Sequence, residues 1–203
     1  MKIRTFLILK YSAVWIALLL MSCTYGHASS VREVSLNEMI QKSQFVFEGT
    51  VTAIEARENS KKRIHTYVTF EISDVIKGEY PRKIITLRFV GGTVGVVTMA
   101  VSDMRLPKEG EHGIYFVESL ERLQVHPLYG WSQGHFIVER DATGIERVMT
   151  NRRLPIKVVT DKVHDEQHAL SKGVVRDFVI EKDKKGLTVD EFKRVLRERM
   201  ARK

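Results

Sequence analysis

The sequence predicts a mainly β protein, an all-β barrel or sandwich with one helix at each end. Three observations carry this. Short runs of period two recur between turn residues from Phe45 to Thr150. The two stretches with helical spacing lie outside that region, and each opens on a capping signature.

Ser35-Leu36-Asn37-Glu38 is a capping box, in which the Ser35 hydroxyl accepts from the Glu38 amide. Leu36, Met39 and Ile40 follow at i, i+3 and i+4, which predicts a short helix over about 36–43. Phe45-Val46-Phe47 then opens a strand running to Ala56. In the next run Ile64, Thr66, Val68, Phe70 and Ile72 share one face, and His65, Tyr67, Thr69 and Glu71 share the other. The polar link Arg57–Arg63 makes these two strands a long hairpin, and Lys77-Gly78-Glu79-Tyr80-Pro81 ends the second. Ile85, Leu87 and Phe89 alternate up to a glycine corner, after which Val94 to Val101 is expected to be a strand. Further strands are expected at Gly113–Glu118, Arg122–Tyr129, Gly134–Glu139 and Gly144–Thr150. The last element is a helix: Thr188 caps it, Glu191 is the reciprocal partner, and Leu187 with Phe192 forms a hydrophobic staple. Phe192, Val195, Leu196 and Met200 make its apolar stripe, which is expected to dock on the sheet.

The first 28 residues have the layout of an export signal. Lys2, Arg4 and Lys10 form a positive start, Ala13 to Met21 an apolar core, and no acid precedes Glu33. That core is shorter than the roughly 18 residues of a membrane span. Gly26-His27-Ala28 places small residues for cleavage between Ala28 and Ser29, while Leu20-Met21-Ser22-Cys23 offers the alternative of a lipidated Cys23. The expected organisation is a leader at 1–28, a β-barrel domain at 29–157, a connector at 158–186 and a basic amphipathic helix at 187–203. An exported, periplasmic or secreted product follows, membrane-anchored only if Cys23 is lipidated.

Cys23 is the only cysteine, so a chain cut after Ala28 has no disulfide, thiol nucleophile or cysteine-held zinc, and its core alone must hold it. The net charge is +8, but it is not spread over the body. Three of the positive charges belong to the leader, and residues 182–203 hold nine Lys or Arg against four acids. Residues 29–181 balance at 21 of each sign, which argues against a nucleic-acid partner.

Each candidate site competes with an ordinary structural role. Arg88-Phe89-Val90-Gly91-Gly92-Thr93-Val94-Gly95 fits neither phosphate-loop spacing, and Val96-Val97-Thr98-Met99 follows where a helix would be needed, so the glycines read as a hairpin corner. His164 and His168 stand four apart, as in zinc hydrolases, with Asp165 where the general base would be. They are weak metal candidates, and a solvated segment explains them more simply. Gly130-Trp131-Ser132-Gln133-Gly134 fits G-x-S-x-G, but a strand-like run begins at His135 where a nucleophile elbow needs a helix. Trp131 and Gln133 read as shaping a turn. No catalytic residue and no cofactor is assigned.

Several strings resemble a group of short exported bacterial proteins. They are S35-L-N-E38, F45-V-F-E-G-T-V51, D74-V-I-K-G78, G91-G92, P107-K-E-G-E111 with Y115-F116, and Q133-G-H-F136, spread over residues 35–139. The layout is similar to the OB-like barrel of netrin-type and metalloproteinase-inhibitor domains. That resemblance implies a mainly β, OB-like antiparallel barrel acting as a protein-binding or inhibitory module rather than an enzyme. Those inhibitors present an N-terminal cysteine held by disulfides, which a chain starting at Ser29 lacks, so their zinc-chelating mechanism does not carry over. The expected function is a non-enzymatic exported module with a protein partner in the envelope or outside the cell. The alternatives are a metal-dependent hydrolase using His164 and His168, and an envelope lipoprotein with a membrane-surface role.

Overall fold

The computed structural model describes residues 32–101, 104–159, 178–180 and 186–202. The expected leader with its Ala28–Ser29 cut, the alternative Cys23, and the His164/His168 pair lie outside the described residues.

The described chain runs α1 (Leu36–Lys42), β1 (Phe45–Glu58), β2 (Ile64–Lys77), β3 (Ile84–Val90), β4 (Gly92–Val94), β5 (Val97–Met99), β6 (His112–Val117), β7 (His135–Arg140), β8 (Glu146–Thr150), β9 (Ile156–Val159), β10 (Phe178–Ile180) and α2 (Val189–Ala201). Six strands form one antiparallel sheet in the order β3-β2-β1-β6-β7-β8, so β3 and β8 are its two ends. The remaining strands pair as two small hairpins, β4 with β5 and β9 with β10.

β1 organises the sheet. It pairs with β2 along almost its whole length but with β6 only from Phe45 to Thr50. Register shifts at Val46/Phe47, Glu48/Gly49 and Val51/Ala53 bend it, as bulges do. Gly49 permits the close approach there, since a Cβ would stand 2.5 Å from the Glu71 carbonyl oxygen.

Alternation along the strands sorts the core into two layers. On one face Val46, Ile114, Phe116, Phe136, Val138 and Val148 pack against Leu36, Met39 and Ile40 of α1 and Val189, Phe192 and Leu196 of α2. On the other Phe45, Phe47, Val68, Phe70, Leu87, Phe89 and Tyr115 form an aromatic-rich cluster, with Leu128 and the half-buried Met104, Leu106 and Leu120 against it. The stripe of α2 is therefore spent on the sheet, as its spacing predicts.

Both helix starts follow the sequence. Ser35 accepts from the Glu38 amide at 3.1 Å, and Thr188 and Glu191 complete a reciprocal box. The end of α1 is closed from outside, because Lys77 Nζ donates to the carbonyls of Ile40 and Ser43 at 2.5 and 2.6 Å. A cation there also suits the negative end of the helix dipole.

Two expectations are corrected. The run Arg122–Tyr129 is a loop that meets β6 at the Val117–Leu128 bridge and the end of β3 at the Val125 carbonyl, because β6 already has β1 and β7 as neighbours and Pro127 has no N–H to give. The glycine pair is not the hairpin tip. Gly91 and Gly92 swing the chain out of β3 into the separate β4–β5 hairpin, which turns at Gly95-Val96, and the strand expected over 94–101 shrinks to Val97–Met99.

The swing requires glycine. Gly92 has φ +129°, and a Cβ would lie 2.2 Å from the Thr66 hydroxyl, which itself donates to the Gly91 carbonyl at 2.7 Å. Gly92→Ala is expected to cost about 1–3 kcal/mol in urea-induced unfolding through backbone strain and the lost hydrogen bond. Gly95→Ala, where nothing lies within 4 Å, is expected to cost less.

Candidate functional site

Two charged clusters and one exposed surface stand out. The first lies on the aromatic side of the sheet. Glu111 ends the loop before β6, His135 opens β7, and the two strands pair Tyr115 with His135. That register places His135 Nε2 2.8 Å from Glu111 Oε1, with both side chains almost wholly buried. His135 Nε2 lies within contact distance of Glu111 but outside strict hydrogen-bond alignment. The Arg105 guanidinium stands 3.6 Å from Glu111 Oε2 and donates to the Asn151 carbonyl. Burial alone would raise the Glu111 pKa, but His135 and Arg105 outweigh it and hold the carboxyl below its ordinary value. Tyr115 stacks on His135 at 5.0 Å, and burial pushes its hydroxyl well above the ordinary phenol range.

His126 adjoins this cluster, edge-on to Phe89 and stacked on Trp131. Its Nδ1 accepts from the Leu128 amide at 3.2 Å, so the proton of the neutral ring sits on Nε2. Burial drives its pKa down to about 3. The ring is therefore uncharged at neutral pH.

Ser132 of the G-x-S-x-G string lies in this region, in a 3-10 turn over Trp131–Gly134 that runs directly into β7. Its hydroxyl accepts from the Arg105 amide at 3.1 Å. The Gln133 side chain ties the turn to the start of the domain. Its amide donates to the Arg32 and Gly130 carbonyls and accepts from the Val34 amide, which fixes the entry to α1. Trp131 and Gln133 thus shape a turn, as the sequence suggests. Among the described residues no group of three His, Cys, Asp or Glu is placed to hold a metal.

The second cluster joins α2 to the sheet. Lys193 Nζ lies 2.7 Å from Glu48 Oε2 and 2.9 Å from Asp74 Oδ2, Arg197 shares Asp74 at 2.9 Å, and His112 Nε2 approaches Glu48 at 3.0 Å. The His112 contact and the Lys193 ammonium hold the Glu48 carboxyl below its ordinary value against the effect of burial. Lys193 is raised although its own burial opposes this, because two carboxylates face it. This is a clamp, and its residues come from four separate elements.

The third feature is apolar and outward. Val96, at the tip of the β4–β5 hairpin, is fully exposed, Leu123 is 79 % exposed, and Ile84, Val97 and Val125 are each more than half exposed. These side chains belong to consecutive parts of one margin: β3 leads into the hairpin, and the Val90 amide donates to the Val125 carbonyl and ties loop 119–126 to the end of β3. Sequence reading missed Arg105, His126, His112, Lys193 and Arg197 as site residues; Glu48, Asp74, Glu111 and His135 stood inside strings singled out only for their resemblance. Comparison with protein-family models, curated proteins and solved structures returned no match in any of the three.

Proposed function

We propose that this chain is an exported protein-binding module that meets its partner through the β3 margin, the β4–β5 hairpin and loop 119–126. The observation that carries this reading is the exposure of Val96, Val97, Leu123 and Val125, large apolar side chains left in solvent on the hairpin and the loop that meet the end of β3, with Ile84 exposed at the strand's other end. Contiguous exposed apolar surface marks contact sites, whereas scattered single residues do not. The architecture is read as OB-like: a long bent β1, paired with β2 throughout and with β6 over its first half, wraps the sheet around the aromatic cluster. The partner class is an envelope or secreted protein, with a protease the form the netrin-type resemblance suggests.

Crosslinking of purified protein in envelope extract tests this. A specific product is expected with the native chain and is expected to vanish with Val96→Asp plus Val97→Asp, at an unchanged urea midpoint because both side chains are exposed. A product that survives both changes, or the absence of any product, counts against the reading. The stripe of α2 favours no membrane-surface role: Phe192 and Leu196 are fully buried, and only the polar face of that helix is turned outward.

A further inference from the structure

The two ends of the sheet are treated differently, and hydrogen-bond parity shows how. In an antiparallel ladder every second residue turns both its N–H and its C=O toward the neighbouring strand, and the residues between turn theirs away. Two bonds fix the parity of β3 against β2: the Ile72 amide donates to the Lys83 carbonyl at 2.7 Å, and the Gly91 amide to the Ile64 carbonyl at 2.9 Å. Together with the register Phe70–Ile85 and Val68–Leu87, these turn Ile85, Leu87 and Phe89 inward, and Ile84, Thr86, Arg88 and Val90 outward. Of the outward four, Val90 is used by Val125, while Ile84, Thr86 and Arg88 have no backbone partner among the described residues.

At the other end the outward groups are filled. The Val148 amide donates to Leu187 and the Thr150 amide to Leu154, each at 2.9 Å, and bridges join Arg147 to Thr188 and Met149 to Pro155. One edge is covered, and the other has no backbone partner among the described residues at Ile84, Thr86 and Arg88, with loop 119–127 lying beside it.

Beside that stretch lies a groove of about 160 Å³ between β3 and loop 119–127, with Tyr80, Ile85, Leu87, Leu120 and Pro127 among its walls. That exceeds the roughly 30 Å³ share of one water by enough to admit an apolar side chain. The charges around the edge are mostly positive: Arg82, Lys83, Arg88 and Arg122 against Glu79 and Glu121. None of the four makes an ion pair among the described residues; Arg88 is half-buried and donates to the Gln124 carbonyl at 3.5 Å, while Arg82, Lys83 and Arg122 are exposed and are the cations open to a partner.

Resting on the binding-module reading, we propose that β3 is a strand-addition site for an extended acidic segment of a partner protein. The segment bonds through its main chain to Ile84, Thr86 and Arg88, seats one apolar side chain in the groove, and sets its carboxylates against the exposed cations. Strand addition of this kind takes affinity from the main chain and selectivity from side-chain pockets. A second copy of this chain suits the site less, because pairing β3 with itself would bring the two sets of cations together.

Short random peptides displayed on phage and selected on the purified protein provide the test. Enriched peptides are expected to alternate, with Asp or Glu among apolar residues, and to lose at least about tenfold in affinity against Thr86→Pro. That variant removes one outward N–H and leaves the β2–β3 ladder intact, which is where a strand accepts proline. Thr86→Val keeps the amide and is expected to bind normally. If Thr86→Pro does not fold, hydrogen exchange in the native protein decides: peptide is expected to slow the Ile84, Thr86 and Arg88 amides and leave Ile85 and Leu87 unchanged. Equal binding to folded Thr86→Pro, unchanged exchange, basic peptides, or a dimer that Thr86→Pro dissolves would each overturn the proposal. Peptides that are lost only with Val96→Asp leave the binding-module reading standing and remove strand addition; no enrichment together with no crosslinked product removes both.

Discussion

Phe192→Ala is expected to lower the unfolding free energy by about 3–5 kcal/mol, the range for emptying an aromatic site in a packed core. Phe192 is fully buried, its ring 5.2 Å from that of Phe136, in the layer that also holds Leu36, Met39, Val148 and Leu196. The loss is not confined to the hole. A helix of 13 residues is marginal by itself, so α2 depends on this contact and on the Lys193 clamp to stay formed. When the ring goes, Lys193 no longer has a fixed seat between Glu48 and Asp74, and Glu48 is left buried with a weaker counter-charge. Urea unfolding followed by far-ultraviolet circular dichroism gives the magnitude, and limited trypsin digestion is expected to cut first at Arg194 and Arg197. A loss below about 1 kcal/mol, the scale of a surface change, would mean that the helix does not hold the layer together.

Acidification is expected to remove stability well before the carboxylates titrate. His126 has a folded pKa of about 3 against an ordinary value of 6.5. Because the folded value is depressed, the unfolded chain takes up the proton first as pH falls. The stability is complete above about pH 6.5, declines below it, and keeps declining until the folded ring itself protonates near pH 3. The limiting slope for one group is about 1.4 kcal/mol per pH unit. Glu48 and Glu111, both held below 4.5, add their own loss at the acid end as pH falls through their depressed values. Urea midpoints measured from neutral pH to about pH 4 test the sign and the onset. His126→Asn, whose side-chain oxygen can still accept from the Leu128 amide, is expected to flatten the slope between about pH 6.5 and pH 5. A native profile that is already flat there would assign the ring to a solvated site.

What the sequence displayed was periodicity and punctuation. The alternation Ile64 to Ile72 and the boxes at Ser35 and Thr188 are local patterns, and the corresponding elements formed where those patterns lie. Arg122–Tyr129 also alternates, yet a strand needs a free neighbour, and β6 offers it only the Val117 end. The glycine pair announced a reversal but not its direction, which depends on the Thr66 hydroxyl 25 residues earlier in the chain. The charged clusters were invisible for a different reason. Glu48 and Lys193 are 145 residues apart, and His135 meets Glu111 only because β6 and β7 are in a particular register. No local spacing encodes such pairs. The outward edge of β3 is likewise a property of ladder parity, which appears only when partners are known.

The segment that runs through Leu187 into α2 does more than hold a helix in place. By lying along β8 it acts as a terminator, so that the strand addition proposed for β3 has no counterpart at this end of the sheet. Without that strip the Arg147–Val148 stretch of β8 would lose its cover while Leu154 and Pro155 still held Thr150 and Met149, and head-to-tail contacts between two unlike edges run on into filaments wherever their rotation does not close a ring.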